Sequence, residues 1–183
     1  MLHRLFARCS GAVAHRLACV RRPRWLSRGM ISLFIKLYRI DVRRAALPPE
    51  AYPSLLDFFV REPHAHVRVD CDNPAAICAP VESTVLAAGT AANDTVIMVK
   101  GHHTTLSDLI GEPAATYHGG EYLGLYLSPA DCHRIYAPCD GRVVRAWRLG
   151  RTLYPVFPAA LARRPATPVR NQRCVIELAH SCG

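Results

Sequence analysis

Beyond Pro63 the apolar residues of this chain come in runs of only four to six, each cut short by Gly, Pro or Asn-Asp. The runs are Ala76–Val81, Val85–Ala88, Val96–Val99, Tyr122–Leu127, Arg142–Trp147 and Cys174–Leu178, rich in Val, Ile and Ala. Such segments are too brief for independent helices and suit strands bounded by turns. One helix is predicted among them, over Thr105 to Ile110. Another, from Tyr52 to Arg61, precedes them, with apolar residues at 55, 56, 58, 59 and 60. The pattern predicts an α+β chain: helices gathered at the N-terminus, then a small, mostly β domain.

The N-terminal part reads differently. Leu2, Leu5, Phe6, Cys9, Val13, Leu17 and Val20 recur at helical spacing, with basic residues between them. Pro23 ends that segment, and a second apolar one runs from Trp25 to Ile40. Neither has the roughly 20 uninterrupted apolar residues that a bilayer span needs. Two functional readings fit a basic amphipathic segment: an organellar targeting peptide, over residues 1 to about 22, and an interfacial helix on anionic lipid. A third is a basic helix packed on its own domain. Leu47-Pro48-Pro49 looks like a linker. The expected division is therefore 1–46, membrane-associated or targeting, and 47–183, the folded domain.

The formal charge of +9 suggests nucleic acid until it is located. Residues 1–40 hold nine Lys or Arg and no acid, which leaves 14 basic and 14 acidic residues beyond. With no recognition motif elsewhere, a nucleic-acid partner is not expected. Eight cysteines invite a zinc or disulfide reading, but no Cys-x-x-Cys occurs. Arg interrupts the N-terminal apolar residues, so no secretory signal peptide is read, and free thiols are expected, with disulfides as the alternative. His102 and His103 are adjacent on an extended chain and point to opposite faces, so no metal site is expected there.

Residues 126–141 carry the densest chemistry. They read Tyr126-Leu127-Ser128-Pro129-Ala130-Asp131-Cys132-His133-Arg134-Ile135-Tyr136-Ala137-Pro138-Cys139-Asp140-Gly141. A strand delivers a polar cluster, and a turn on either side holds it. Asp131 suits a cap on the Ser-Pro turn, and His133 suits proton transfer near neutral pH. This stretch resembles the signature of the phosphatidylserine decarboxylases, Tyr-Leu-Ser-Pro-x-Asp-Tyr-His-Arg-x-His-x-Pro-x-x-Gly. Lys100-Gly101-His102-His103-Thr104-Thr105-Leu106 is similar to the family's Lys-Gly-x-x-Tyr-Ser-Leu. Tyr117-His118-Gly119-Gly120 is similar to its aromatic-x-Gly-Gly turn, and Arg170-Asn171-Gln172-Arg173 to its Arg-Asn-Glu-Arg strand. Phe34-Ile35-Lys36-Leu37-Tyr38-Arg39-Ile40-Asp41 is similar to the family's membrane-resting N-terminal helices.

The resemblance implies a pyruvoyl enzyme of phosphatidylethanolamine biosynthesis. In that family a proenzyme cuts itself at a Gly-Ser bond, and the serine becomes a pyruvoyl group that serves as an electron sink. His133 matches the histidine linked to decarboxylation. The processing pair matches Glu82, where the family has Asp, and Tyr136, where it has His. A phenol is almost wholly protonated at neutral pH and is a poor base. No Gly-Ser-Thr follows Leu178, and Ser181 does not fit the cleavage serine. The resemblance thus implies a domain incomplete at its C-terminus that does not mature alone: either a truncated chain, or one completed by a separate C-terminal segment. The alternative is a non-catalytic, membrane-associated phospholipid-binding relative. Expected partners are phosphatidylserine and an anionic membrane surface, at the mitochondrial inner membrane or a bacterial inner membrane. The missing strands would leave open sheet edges and poor solubility.

Overall fold

The computed structural model describes residues 13–64, 73, 76–92, 95–97, 103–154, 156 and 158–180. Residues 13–18 are helical. Helix α1 spans Arg24–Tyr38, starting directly after Pro23, whose fixed φ and missing N–H suit a helix start. It ends at Arg39, in the left-handed region at φ 53°, whose N–H closes on the Ile35 carbonyl. Two 3-10 turns, Val42–Arg44 and Pro49–Ala51, lead to α2, Leu55–Phe59. Ser54 caps α2: its hydroxyl accepts from Asp57 N–H at 3.2 Å and donates to the Asp57 carboxylate at 2.6 Å.

These helices make the hydrophobic core. Ile31, Ile40, Tyr52 and Phe58 are buried together, with Phe34, Ile35, Leu55 and Ala130 packed against them. Arg24 ties α1 down by donating to the carbonyls of Tyr52 and Glu50. The core therefore crosses the expected boundary at residue 47. A second stripe of α1 points away from it: Trp25 is 73% exposed, and Leu33 and Leu37 are each 67% exposed. Among the described residues no helix is long and apolar enough to cross a membrane.

The rest is mixed helix and strand. Strands β1 (Thr84–Thr90) and β4 (Glu121–Tyr126) pair antiparallel, as do β2 (Thr95–Ile97) with β3 (His103–Thr105) and β5 (Arg142–Leu149) with β6 (Arg173–Ala179). Each sheet has two strands, and the β1–β4 and β5–β6 ladders each carry an irregularity, at Val85/Ala87 and Val143/Arg145. Helix α3, Leu106–Ile110, is capped by Thr105, and a 3-10 segment, Glu112–Tyr117, follows it. Two short helices, α4 (Pro158–Arg163) and α5 (Thr167–Arg170), fill the excursion between β5 and β6.

Side chains, more than sheets, join these pieces. The Arg173 guanidinium on β6 donates to the carbonyls of Asp108, Leu109, Val169 and Asn171, and the Trp147 indole donates to Ile110. The end of α3 is thereby fastened to the β5–β6 ladder. Gly150 turns the chain out of β5 at φ 73°, where a Cβ would collide with the Asn171 carbonyl. The run Ala76–Val81 does not form the expected strand. Its described pairing is two backbone bonds, Cys78 N–H to the Pro138 carbonyl (2.7 Å) and Tyr136 N–H to the Pro80 carbonyl (2.8 Å). Pro80 and Pro138 accept but have no N–H to return, so the ladder stops there.

Candidate functional site

The turn after β4 is built by its own side chains. Pro129 presets the bend. The Asp131 carboxylate accepts the Ser128 N–H at 2.6 Å, the Ser128 hydroxyl accepts the Ala130 N–H at 3.3 Å, and Asp131 N–H returns to the Ser128 carbonyl at 3.0 Å. Asp131 is thus the turn cap read from the sequence.

The end of α2 then fixes this turn in space. Arg61, only 4% exposed, lies over the Phe58 ring and donates to the Ala130 carbonyl at 2.6 Å and the Phe58 carbonyl at 3.4 Å. The Cys132 thiol donates to the Arg61 carbonyl at 2.9 Å. His133 N–H donates to the Phe59 carbonyl at 3.2 Å. Arg134 donates to the Val60 carbonyl at 3.1 Å and pairs with Glu62 at 2.7 Å. Residues 132–134 are therefore latched one by one to residues 59–62. Of the adjacent phenylalanines, Phe58 is core, whereas Phe59 is part of the site.

The His133 ring is stacked on Phe59, with centroids 3.8 Å apart and planes inclined by 22°. Its Nε2 lies 2.9 Å from the Ser128 carbonyl oxygen. A carbonyl only accepts, so Nε2 carries the proton, and the lone pair of the neutral ring resides on Nδ1. Burial pushes this imidazole below its ordinary value of 6.5. The Ser128 bond and the Asp131 charge oppose the shift, and Arg61 adds to it. The site therefore holds a neutral, oriented base at neutral pH.

Glu82 and Tyr136 meet in a neighbouring cleft of about 690 Å³, which Arg44, Glu62, Cys78, Cys132 and Arg134 also line. Both Glu82 oxygens are engaged: one pairs with Arg44 at 2.6 Å and the other accepts the Cys132 N–H at 3.1 Å. Tyr136 is held through its backbone N–H, and the residue is 45% exposed. The structure thus brings Glu82 and Tyr136 to one cleft, with His133 beside it, joined through Cys132 and Arg134. The His133 ring is not among the cleft's lining groups.

Sequence reasoning gave no site role to Arg44, Arg61 or the Ser128 carbonyl. Arg61 stands directly after an apolar helix, in a segment similar to the family's paired Phe and Arg, and neither signal reveals its burial. His103 begins β3, whereas His102, Lys100, Gly101 and Ser181 lie outside the described residues. Among the described residues, Cys19, Cys132, Cys139 and Cys174 are free thiols.

A family model described as phosphatidylserine decarboxylase matches residues 55–183. Among curated relatives, the phosphatidylserine decarboxylase proenzyme of Albidiferax ferrireducens is 36% identical over 173 residues, covering 91% of this chain and 60% of the relative. That of Methylibium petroleiphilum is 35% identical, covering 86% of the chain and 57% of the relative. The Pseudoalteromonas atlantica protein of the same name is 34% identical, covering 82% and 54%. The chain thus spans between 54% and 60% of the length of these relatives.

Proposed function

The chain belongs to the phosphatidylserine decarboxylase family, and on that premise we propose that it carries the decarboxylation histidine, His133, of an enzyme that converts phosphatidylserine to phosphatidylethanolamine at a membrane surface. The observation that carries the proposal is the fixed His133 ring. Stacked on Phe59 and donating Nε2–H to Ser128, it presents Nδ1 as a defined proton acceptor. Near neutral pH it first accepts a hydrogen bond or a proton at Nδ1, and it returns the proton from the same atom.

The pyruvoyl group of this family supplies, when bound, a ketone that condenses with an amine and takes up the electron pair left by departing carbon dioxide. The cleft beside His133 is compatible with such a group. Among the described residues its lining has no lysine amine to capture the ketone, and the Tyr136 hydroxyl is a donor for its oxygen. Glu82 and Tyr136 occupy the altered self-processing positions. With both oxygens engaged by Arg44 and the Cys132 N–H, Glu82 serves here as a brace for the 132–134 segment. That engagement supports the expectation of weak self-processing.

We assign targeting and membrane contact to residues 1–46 and catalysis to residues 47–183, with the inner face of α1 packed into the core of the catalytic part rather than forming a separate unit. The outward stripe Trp25, Leu33 and Leu37, with Arg28 and Lys36 on the same helix, supports contact of α1 with an anionic leaflet. The arginine-rich, acid-free first forty residues favour the mitochondrial inner membrane over a bacterial one. The test is carbon dioxide release from phosphatidylserine in mixed micelles, with and without a co-expressed C-terminal segment from the family. Release that requires the added segment and is lost in His133→Ala supports the proposal. No release in either case, with phospholipid binding retained, would replace it by the non-catalytic relative.

A further inference from the structure

We propose that the arginine-rich knot between β5 and β6, residues 151–170, is a second docking face for an anionic lipid bilayer. Between Asp140 and Glu177 the sequence holds eight arginines and no acid. The charge of residues 41–183 averages to zero, which conceals this block. Two of the eight are engaged within the fold. Arg145 pairs with Glu177 at 2.8 Å and lies over Trp147, and the Arg173 guanidinium is occupied by carbonyls.

The fold gathers four of the others. Arg151 N–H donates to the Arg170 carbonyl, and the Thr152 hydroxyl donates to the same carbonyl at 2.7 Å. The Asn171 side chain clasps Tyr154 by two bonds of 2.8 Å, one to its N–H and one to its carbonyl. The Arg164 guanidinium then lies over the Tyr154 ring, 5.0 Å from its centroid, with Arg163 next to it in the chain. Arg151, Arg163, Arg164 and Arg170 are all exposed, and none makes an ion pair with a described residue. Leu153 and Val156 are exposed in the same excursion.

Four guanidiniums without ion pairs and two exposed aliphatic side chains in one excursion of the chain have the chemistry of an interfacial membrane contact. The cations meet lipid phosphates and carboxylates, and the aliphatics enter the headgroup boundary. A single-stranded nucleic acid would call for open aromatic faces, but the aromatic ring among the knot's described residues, that of Tyr154, is covered by Arg164. Bilayer binding does not depend on decarboxylation. It rests on the proposed function only for the natural lipid, phosphatidylserine.

The experiment is co-sedimentation of the full chain with vesicles of phosphatidylcholine alone, or mixed with phosphatidylserine or phosphatidylglycerol. Amide exchange is read at residues 150–171. The parent should bind both anionic mixtures and show slowed exchange there. R151Q/R163Q/R170Q, which leaves Arg164 on Tyr154, should lower partitioning at least about tenfold, and R151K/R163K/R170K should stay within about twofold of the parent. Unchanged partitioning of the glutamine variant would overturn the proposal. So would protection confined to α1, or a preference of the parent for a single-stranded oligonucleotide over anionic vesicles. If the glutamine variant loses its folded circular dichroism, protection of residues 150–171 in the parent decides alone. Absence of carbon dioxide release with this binding intact would count against the decarboxylase reading only.

Discussion

Phe59 holds His133 twice: its carbonyl accepts the histidine N–H at 3.2 Å, and its ring lies under the imidazole at 3.8 Å. The first contact sets where the residue is, and the second sets how the ring is turned. Phe59→Leu keeps the backbone bond and most of the apolar volume but removes the flat surface. It should cost about 1 kcal/mol of stability and move the His133 titration up, toward the ordinary value. A histidine proton titration by NMR in both proteins measures this. An unchanged titration would show that the stack does not control the imidazole.

The depressed basicity of His133 also fixes the sign of one pH effect. Below about 6.5 the unfolded chain binds a proton at this residue, and the native state resists it. The unfolded state then holds more protons, so this contribution to stability falls as pH drops through 6.5 toward the native value. Urea midpoints measured from pH 7.5 to 5.5 should decline more in the parent than in His133→Gln. Parallel curves would contradict the assignment.

Arg61 joins α2 to the 128–131 turn by a charge-assisted bond to the Ala130 carbonyl. Arg61→Met fills similar space without donors and leaves that carbonyl unanswered, at a cost of about 2 kcal/mol. Arg61→Lys should recover less than half, because a single ammonium does not span both the Phe58 and Ala130 carbonyls. Urea unfolding gives the numbers. A Met variant as stable as the parent would remove Arg61 from the account of the site.

Glu82 offers a paired test. Glu82→Gln keeps an acceptor for the Cys132 N–H and loses the charge opposite Arg44. The pair is partly exposed, so the loss should be under about 1 kcal/mol. Glu82→Ala removes both contacts and should cost about 1–3 kcal/mol. Equal losses in the two variants would mean that the Cys132 bond contributes nothing.

The sequence pattern located most of the elements and little of their assembly. Short Val- and Ile-rich runs marked β1, β4, β5 and β6 to within a few residues, because alternation and turn residues are local properties. The run at 76–81 failed because Pro80 and its partner Pro138 cannot donate, and the partner is not visible from either segment. The helices at 158–170 were missed, since stretches of four to six residues carry no periodicity. At the site, the signature pointed to His133 and Asp131, but nothing local shows that Ser128 sets the histidine tautomer. Arg61 and Arg44 enter only through folding, from 69 residues before Ala130 in one case and from 38 before Glu82 in the other.

That separation of 69 residues between Arg61 and Ala130 has a consequence on the ribosome. At about 5–20 residues per second, synthesis takes roughly 3 to 14 s to travel from one to the other. During that interval the helical pair has emerged with Arg61 and Phe59 waiting for the segment that will cover them. The geometry around His133 is therefore a late event of translation, and a nascent chain stalled before residue 130 would show the helices without the site.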